Sequence, residues 1–347
     1  MLYIYQTSCI SPQPYLLPLD GMQTVKAAVN NCMTVTEPDY PAIPQNILRR
    51  MGKAVRIGVG AAAPIIDAEK NIAGIVIGTA NGGMEDCIKF LNQIIDYDEG
   101  VLTPTNFVQS TPNAVAAQLG LLSGNKNYNA THVHRGLAFE NALQDVMMLS
   151  AEQPKDQFLL GALDEISTYN YVIESLGGWY KQEIISNEEL YNTATEGSIA
   201  GEGTSMFLVG GNKTNAIAKI YGVDIIHAES ESEILDRLHI FLNKMNISVE
   251  DLDTLVTGEN GDVRLQHFYS KIESEIPKAN IIRYKHLTGE YPTASAFSVW
   301  LATQLSNTRA LPLHFYKRKL NTQIPKNILI YNNYKGLQHS FIYVTFQ

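Results

Sequence analysis

An α/β fold is predicted for this 347-residue chain, and three observations predict it. Short apolar runs closed by glycine recur, as in Ile72-Ala73-Gly74-Ile75-Val76-Ile77-Gly78. Segments with apolar residues at helical spacing stand between these runs. The second half repeats the texture of the first, which points to duplication of a whole half rather than to a short repeat. Strands that alternate with helices give layers of sheet and helix in which many neighbouring strands run parallel.

The elements follow in order. Residues 72–78 read as a buried strand, since the run is apolar throughout. Residues 84–95 read as a helix with Cys87, Ile88, Leu91, Ile94 and Ile95 on one side. A second helix is predicted over 109–122, with Pro112 near its start, where proline is tolerated. Residues 127–133 read as a strand, 137–150 as a helix and 157–160 as a strand closed by Gly161. In the second half, 205–209 and 216–226 are strand-like and 231–246 is an amphipathic helix. Strands are predicted at 252–257, 279–284, 328–331 and 341–346, and helices at 263–276 and 293–305. Residues 180–203 carry the least pattern and read as the connection between the halves, 1–179 and 180–347.

Composition narrows the function classes. Apolar residues make up 45% and charged residues 18%, a balance that suits a packed globular core. The net charge of −9 argues against nucleic acid or an anionic membrane as the partner. Cys9, Cys32 and Cys87 are odd in number and far apart, so they form neither a disulfide framework nor a zinc ribbon. Reduced thiols in the cytoplasm are the expectation. Residues 1–11 do not have the pattern of a secretory signal. The best apolar run, residues 54–66, contains Arg56 and is too short to span a bilayer.

Seven segments occur in a fixed order. Arg49-Arg50-Met51 leads to Ala61-Ala62-Ala63. A glycine turn, Gly78-Thr79-Ala80-Asn81-Gly82-Gly83-Met84-Glu85, follows the first strand. Pro104, Pro112-Asn113-Ala114 and residues 119–124 come next. Gly161-Ala162-Leu163-Asp164-Glu165 ends a strand, and Gly201-Glu202-Gly203 precedes one. Lys285 stands ahead of Thr288-Gly289, and Asn332-Asn333-Tyr334 is followed by Ser340-Phe341. Together these resemble the ketoacyl synthase family, and the resemblance implies a thiolase-like fold of two similar α/β halves with layered mixed sheets.

The same resemblance implies a departure in chemistry. Members of the family condense acyl units with a cysteine, whose thiolate is strongly nucleophilic, assisted by two histidines that help stabilise the developing oxyanion. The run that resembles the cysteine segment is Thr131-His132-Val133-His134-Arg135-Gly136, with Val133 at the nucleophile. The first histidine's segment is matched by Thr257-Gly258-Glu259-Asn260-Gly261-Asp262, with Gly258 at the histidine. The second is matched by Lys285-His286-Leu287-Thr288-Gly289-Glu290, where Glu290 replaces the histidine and Lys285 is kept. Valine cannot attack a thioester. The cysteine and both histidines are thus all replaced and only Lys285 survives, so the family's catalytic set is not intact, and no cofactor or metal is implied. The expectation is a catalytically degenerate β-ketoacyl-[acyl carrier protein] synthase-like subunit. It would resemble the chain-length factors that pair with an active ketosynthase in fatty acid, polyketide or aryl polyene biosynthesis. An enzyme that uses Glu290 as a decarboxylase or acyl hydrolase, and a self-associating acyl-binding protein, are the competing readings.

Further expectations follow from this matching. Val133 should sit where a strand meets a helix. Lys285 and Glu290 should form an ion pair, because a buried ammonium needs a partner. The family's dimers imply that residues 128–131 lie at a subunit interface, in a homodimer or a heterodimer. Other residues carry two readings each. His132 and His134 read as polar packing or as two ligands of a metal. Cys87 reads as a buried apolar residue or as a displaced nucleophile. The turn 78–83 lacks the spacing of a phosphate loop. Arg49, Arg50, Lys53 and Arg56 read as a solvated face or as a dock for an acyl carrier protein.

Overall fold

The computed structural model describes residues 1–14, 18–306, 308 and 311–346. Thirteen strands are present among them. The first seven are β1 (Leu2–Ile10), β2 (Cys32–Met33), β3 (Ile72–Gly78), β4 (Tyr128–His132), β5 (Gln157–Asp164), β6 (Ala200–Gly201) and β7 (Gly203–Gly210). The remaining six are β8 (Ala218–His227), β9 (Thr254–Thr257), β10 (Asn280–Arg283), β11 (Tyr316–Arg318), β12 (Asn327–Tyr334) and β13 (Gln338–Thr345). All but β2 and β6 join in one sheet of order β11-β10-β9-β12-β13-β8-β1-β7-β5-β3-β4.

That order contains the same five-strand pattern twice. In the first half β4, β3 and β5 are parallel, and β7 and β1 follow antiparallel. In the second half β10, β9 and β12 are parallel, and β13 and β8 follow antiparallel. The duplication suggested by the sequence is therefore present strand for strand. The two halves meet through a short antiparallel pairing of β1 with β8, from Leu2↔Ile220 to Ile4↔Ala218.

Helices cover the sheets in layers. The helices Ala138–Glu152 and Ser295–Leu305 share the central core, where Phe139, Leu143 and Val146 meet Phe297, Val299 and Leu301. Each of the two follows the edge strand of its half's parallel trio, as duplication requires. The helices Lys53–Ala68 and Ala114–Ser123 form a second core on the outer side of the first half. The helices Glu231–Lys244 and Gln266–Glu275 do the same for the second half. Strands covered on both faces read as continuous apolar runs; β7 is buried along its whole length and β5 at all but its first residue.

Three expectations are corrected. The helix predicted over 109–122 is two, Pro104–Gln109 and Ala114–Ser123, with a turn at 110–113 between them. Pro112 lies in that turn, where its ring and missing N–H disfavour a continuous helix. The strand predicted over 157–160 runs on through Gly161 to Asp164, because its antiparallel pairing with β7 continues through Gly161↔Met206 to Asp164↔Gly203. Residues 180–203 do not connect the halves. Strand β7 belongs to the first half's five-strand pattern, and the link to β8, in the second half's pattern, is 211–217. The patternless segment instead ties distant parts together. Lys181 Nζ donates to Thr195 O and Gly261 O, and Asn187 Nδ2 donates to Lys26 O and His286 O. The strands β1 and β11, absent from the sequence reading, complete the sheet. No described helix is long and apolar enough to cross a membrane.

Candidate functional site

Lys285 follows β10 and is fully buried. Its ammonium donates to both carboxylate oxygens of Glu290 at 2.7 Å, so the expected ion pair is present. The turn between them depends on Gly289, whose φ is +69° and whose Cβ would stand 2.5 Å from Ala200 O. The backbone then fixes Glu290 against β6. Its N–H donates to Ile199 O at 2.7 Å, and its carbonyl accepts from Gly201 N at 2.9 Å. Asn260, from the loop after β9, donates through Nδ2 to Glu290 Oε2 at 2.8 Å. A lysine and an amide therefore hold one carboxylate from two sides. Gly258, in the same loop, packs so closely on Asn332 that a Cβ would lie 2.3 Å from its Oδ1 and 3.2 Å from its Cα. The position has no space for a side chain.

Glu290 and Asn260 line a small, partly open pocket. Its walls are aromatic and acidic: Tyr180, Tyr334 and Trp179 stand with Glu165 and Glu174. Burial first, then Glu174 and Glu290, pushes the Tyr180 hydroxyl far above its ordinary pKa, so it remains a neutral donor. Val133 lies where expected, between β4 and the short helix Arg135–Leu137 that leads into Ala138–Glu152. It is 52% exposed and is not among the residues lining the pocket. Tyr334 touches both places. It lines the pocket, and its side chain lies so close to Gly136 that a Cβ there would be 2.2 Å from the Tyr334 Cβ and 2.4 Å from its ring. Arg135, in this junction, takes a φ of +47°, which few non-glycine residues adopt.

The other candidates have ordinary partners. His132 Nε2 meets Asp145 Oδ2 at 2.8 Å, and Tyr128 donates to the same oxygen at 3.0 Å. His134 Nδ1 accepts from Asn141 Nδ2 at 2.8 Å. The two histidines thus turn to different residues. Cys87 is half-buried on the helix Met84–Asp96. The turn after β3 is organised by Asp164, whose Oδ1 accepts from Ala80 N at 2.9 Å, Asn81 N at 2.8 Å and Thr79 Oγ1 at 3.1 Å. An internal carboxylate thus uses the donors that a phosphate would need. Burial raises the Asp164 pKa, and these hydrogen bonds oppose the rise. In the basic stretch, Arg56 pairs with Glu37 and Lys53 with Glu202, which leaves Arg49 and Arg50 exposed. Sequence reading did not single out Asn260, Trp179, Tyr180 or Tyr334 as parts of one site. Their one common signal is proximity to glycines at turns, which is too general to find them.

Residues 24–175 match the family model of the β-ketoacyl synthase N-terminal domain. A search by sequence found no match among curated proteins. Solved structures match over the full chain. A β-ketoacyl synthase from Burkholderia phymatum aligns with a TM-score of 0.78 at 14% identity, covering 100% of this chain and 99% of that one. The ishigamide ketosynthase/chain length factor gives 0.78 at 12%, with the same coverage. A ketosynthase in complex with its chain length factor from Xenorhabdus doucetiae gives 0.76 at 13%, covering 100% and 98%.

Proposed function

We propose that this chain, which has the ketoacyl synthase and thiolase-like fold, is a non-condensing subunit that pairs with an active ketosynthase. In this reading it is a catalytically degenerate β-ketoacyl-[acyl carrier protein] synthase-like protein of the chain-length-factor type. The observation that carries the proposal is the Lys285–Glu290–Asn260 cluster. Where the family would have a histidine that assists condensation, a carboxylate is held by a buried lysine and an amide. The other two matched positions hold Val133 and Gly258, neither of which offers a nucleophile or a proton.

The partner would dock on β4. This strand ends the sheet and exposes Tyr128 and Asn129, and an open edge is a template for a strand of another chain. The helices Met84–Asp96 and Thr168–Leu176, joined by a bond from Asn92 to Tyr169, expose Leu91, Ile95, Ile173 and Leu176, as interface helices do. Two similar structures are a ketosynthase in complex with its chain length factor and an acyl carrier protein in complex with its ketosynthase. By analogy the substrate here would arrive on an acyl carrier protein and react in the partner. Fatty acid, polyketide and aryl polyene synthesis are the corresponding pathways, in the cytoplasm. A hydrolase or decarboxylase based on Glu290 is disfavoured, because both of its oxygens are already held.

Co-purification of the tagged chain from its native cell tests the proposal. A ketosynthase recovered in equal amount, with condensation by the pair and none by this chain alone, is the expected result. A homodimer that turns over malonyl-carrier thioester by itself would overturn it.

A further inference from the structure

The half-buried arginines of this chain donate to the chain itself, with one exception. Arg56 donates to Glu37, Arg237 to Asp224, Arg264 to Asp262, and Arg318 to backbone carbonyls. Arg283, the last residue of β10, donates to no described residue. Glu259 Oε2 stands 4.0 Å from its Nη1, and that oxygen already accepts from Lys317 Nζ at 2.8 Å. The Tyr191 ring lies against the guanidinium, its centroid 3.9 Å from Cζ, and holds it in place. Nε is sealed from solvent without a partner, but the two terminal nitrogens are not, and the side chain is 18% exposed. A fork of open N–H donors is thus fixed by stacking rather than by hydrogen bonds.

Arg283 lines a half-open cleft of about 490 Å³, apart from the pocket at Glu290 and within the range of about 300–1,000 Å³ usual for small-molecule sites. Part of its wall is a closed relay. Tyr191 donates through its hydroxyl to His286 Nδ1 at 3.3 Å, His286 Nε2 to His314 Nδ1 at 2.8 Å, and His314 Nε2 to Met22 O at 2.7 Å. Each histidine N–H is therefore used inside the chain, and the relay shapes the cleft without offering a donor to a ligand. Val25, Tyr316 and Leu313 add apolar wall, and Leu313 is 75% exposed.

We infer that this cleft binds a small monocarboxylate with an apolar body, its carboxylate on the terminal nitrogens of Arg283. Two parallel N–H groups match the two oxygens of a carboxylate. Phosphate offers the same oxygens but brings more negative charge. Glu259 stands 4.0 Å from Nη1 and Glu188 lines the same cleft, so a dianion is repelled where a monoanion is tolerated. The apolar wall then selects what the carboxylate carries. The inference rests neither on the proposed partner nor on the Glu290 pocket, and the full chain alone tests it.

The probe is 3-phenylpropionate, titrated into the full chain by calorimetry at constant ionic strength and about pH 7.5, where the acid is ionised. It is expected to bind saturably, with 3-phenylpropanamide, which lacks the charge, at least about tenfold weaker. Inorganic phosphate should also be weaker than the acid. Arg283→Gln should bring the acid down to the level of the amide. Leu313→Asp places a negative charge on the cleft at an exposed position, and it reads the same site should the arginine variant fold poorly. It should weaken the acid about threefold and leave the amide unchanged. Equal binding of acid and amide, phosphate binding as tight as the acid, an unchanged Kd in both variants, or no saturation up to roughly 10 mM acid would overturn the inference.

Discussion

Glu290→Gln separates a buried ion pair from a solvated one. Lys285 is fully buried and Glu290 is 12% exposed, so the glutamine variant leaves an ammonium in the interior without its counter-charge. Removing one partner of such a pair is expected to destabilise by about 3 kcal/mol, at the low end of the usual range because Gln keeps one acceptor for Lys285. With an unfolding entropy of about 2.1 cal/mol/K per residue over 347 residues, each degree corresponds to about 0.7 kcal/mol. The melting temperature should therefore fall by about 4 °C, read by circular dichroism or calorimetry. The double variant Lys285→Met, Glu290→Leu removes both charges and should recover most of the loss. A fall of less than about 1 °C in Glu290→Gln, or equal losses in the single and double variants, would refute the reasoning.

Three other outcomes are expected. Gly258→His should not restore a catalytic histidine; with Asn332 2.3 Å from where its Cβ must go, it should destabilise by about 1–3 kcal/mol, visible as a lower denaturant midpoint. The Glu165 pKa is pushed up to about 7 by burial, then by Asp86 and Glu202. The folded state then holds its proton more tightly than the unfolded chain, so stability from this group is full below about pH 4.5 and is lost as pH rises through about 7. Glu165→Gln should accordingly melt about 4 °C higher than the parent near pH 8, with the difference vanishing near pH 4.5. Burial, then His314 and Arg283, lowers the His286 pKa to about 3, so its contribution is present above pH 6.5 and declines as pH falls towards 3. His286→Gln should flatten the acid side of the stability curve by about 2 kcal/mol at pH 5, and an unchanged curve would exclude His286 as the group responsible.

The parts of the fold legible in the sequence were those where local pattern and tertiary burial agree. Strand β3 was read to its exact ends because its seven apolar residues lie between two helix layers and end at a glycine turn. The helix Met84–Asp96 was legible from the helical spacing of its apolar residues, although Leu91 and Ile95 of that stripe are exposed and its buried residue is Asp86. Strand β1 was missed because its pattern alternates imperfectly and includes Gln6, Thr7 and Ser8, which the sheet tolerates through its pairings with β7 and β8. The ion pair of Lys285 with Glu290 was legible because a glycine turn brings residues five apart together. Asn260 and Glu165 were not, since their roles depend on loops from β9 and β5 converging on the Lys285 loop. Val133 illustrates a different limit. Its place at a strand–helix junction was readable from periodicity, but its exposure and its separation from the pocket lining depend on how Tyr334 packs against Gly136.

The duplicated sheet has two ends that are not alike. Among the described residues no strand pairs with the outer edge of β4, whereas its counterpart β10 is followed by β11, three residues long and made of Tyr316, Lys317 and Arg318. Those two cations are directed inward, Lys317 to Glu259 and Glu273, and Arg318 to the carbonyls of Ile276 and Ala279. A bare β10 would give the molecule two sticky rims, and subunits could then add at both, one after another, into an endless ribbon. The short charged strand blocks one rim. If subunits pair by sheet extension as proposed, the two rims offer unequal templates, and the asymmetry favours a pair over a chain of copies.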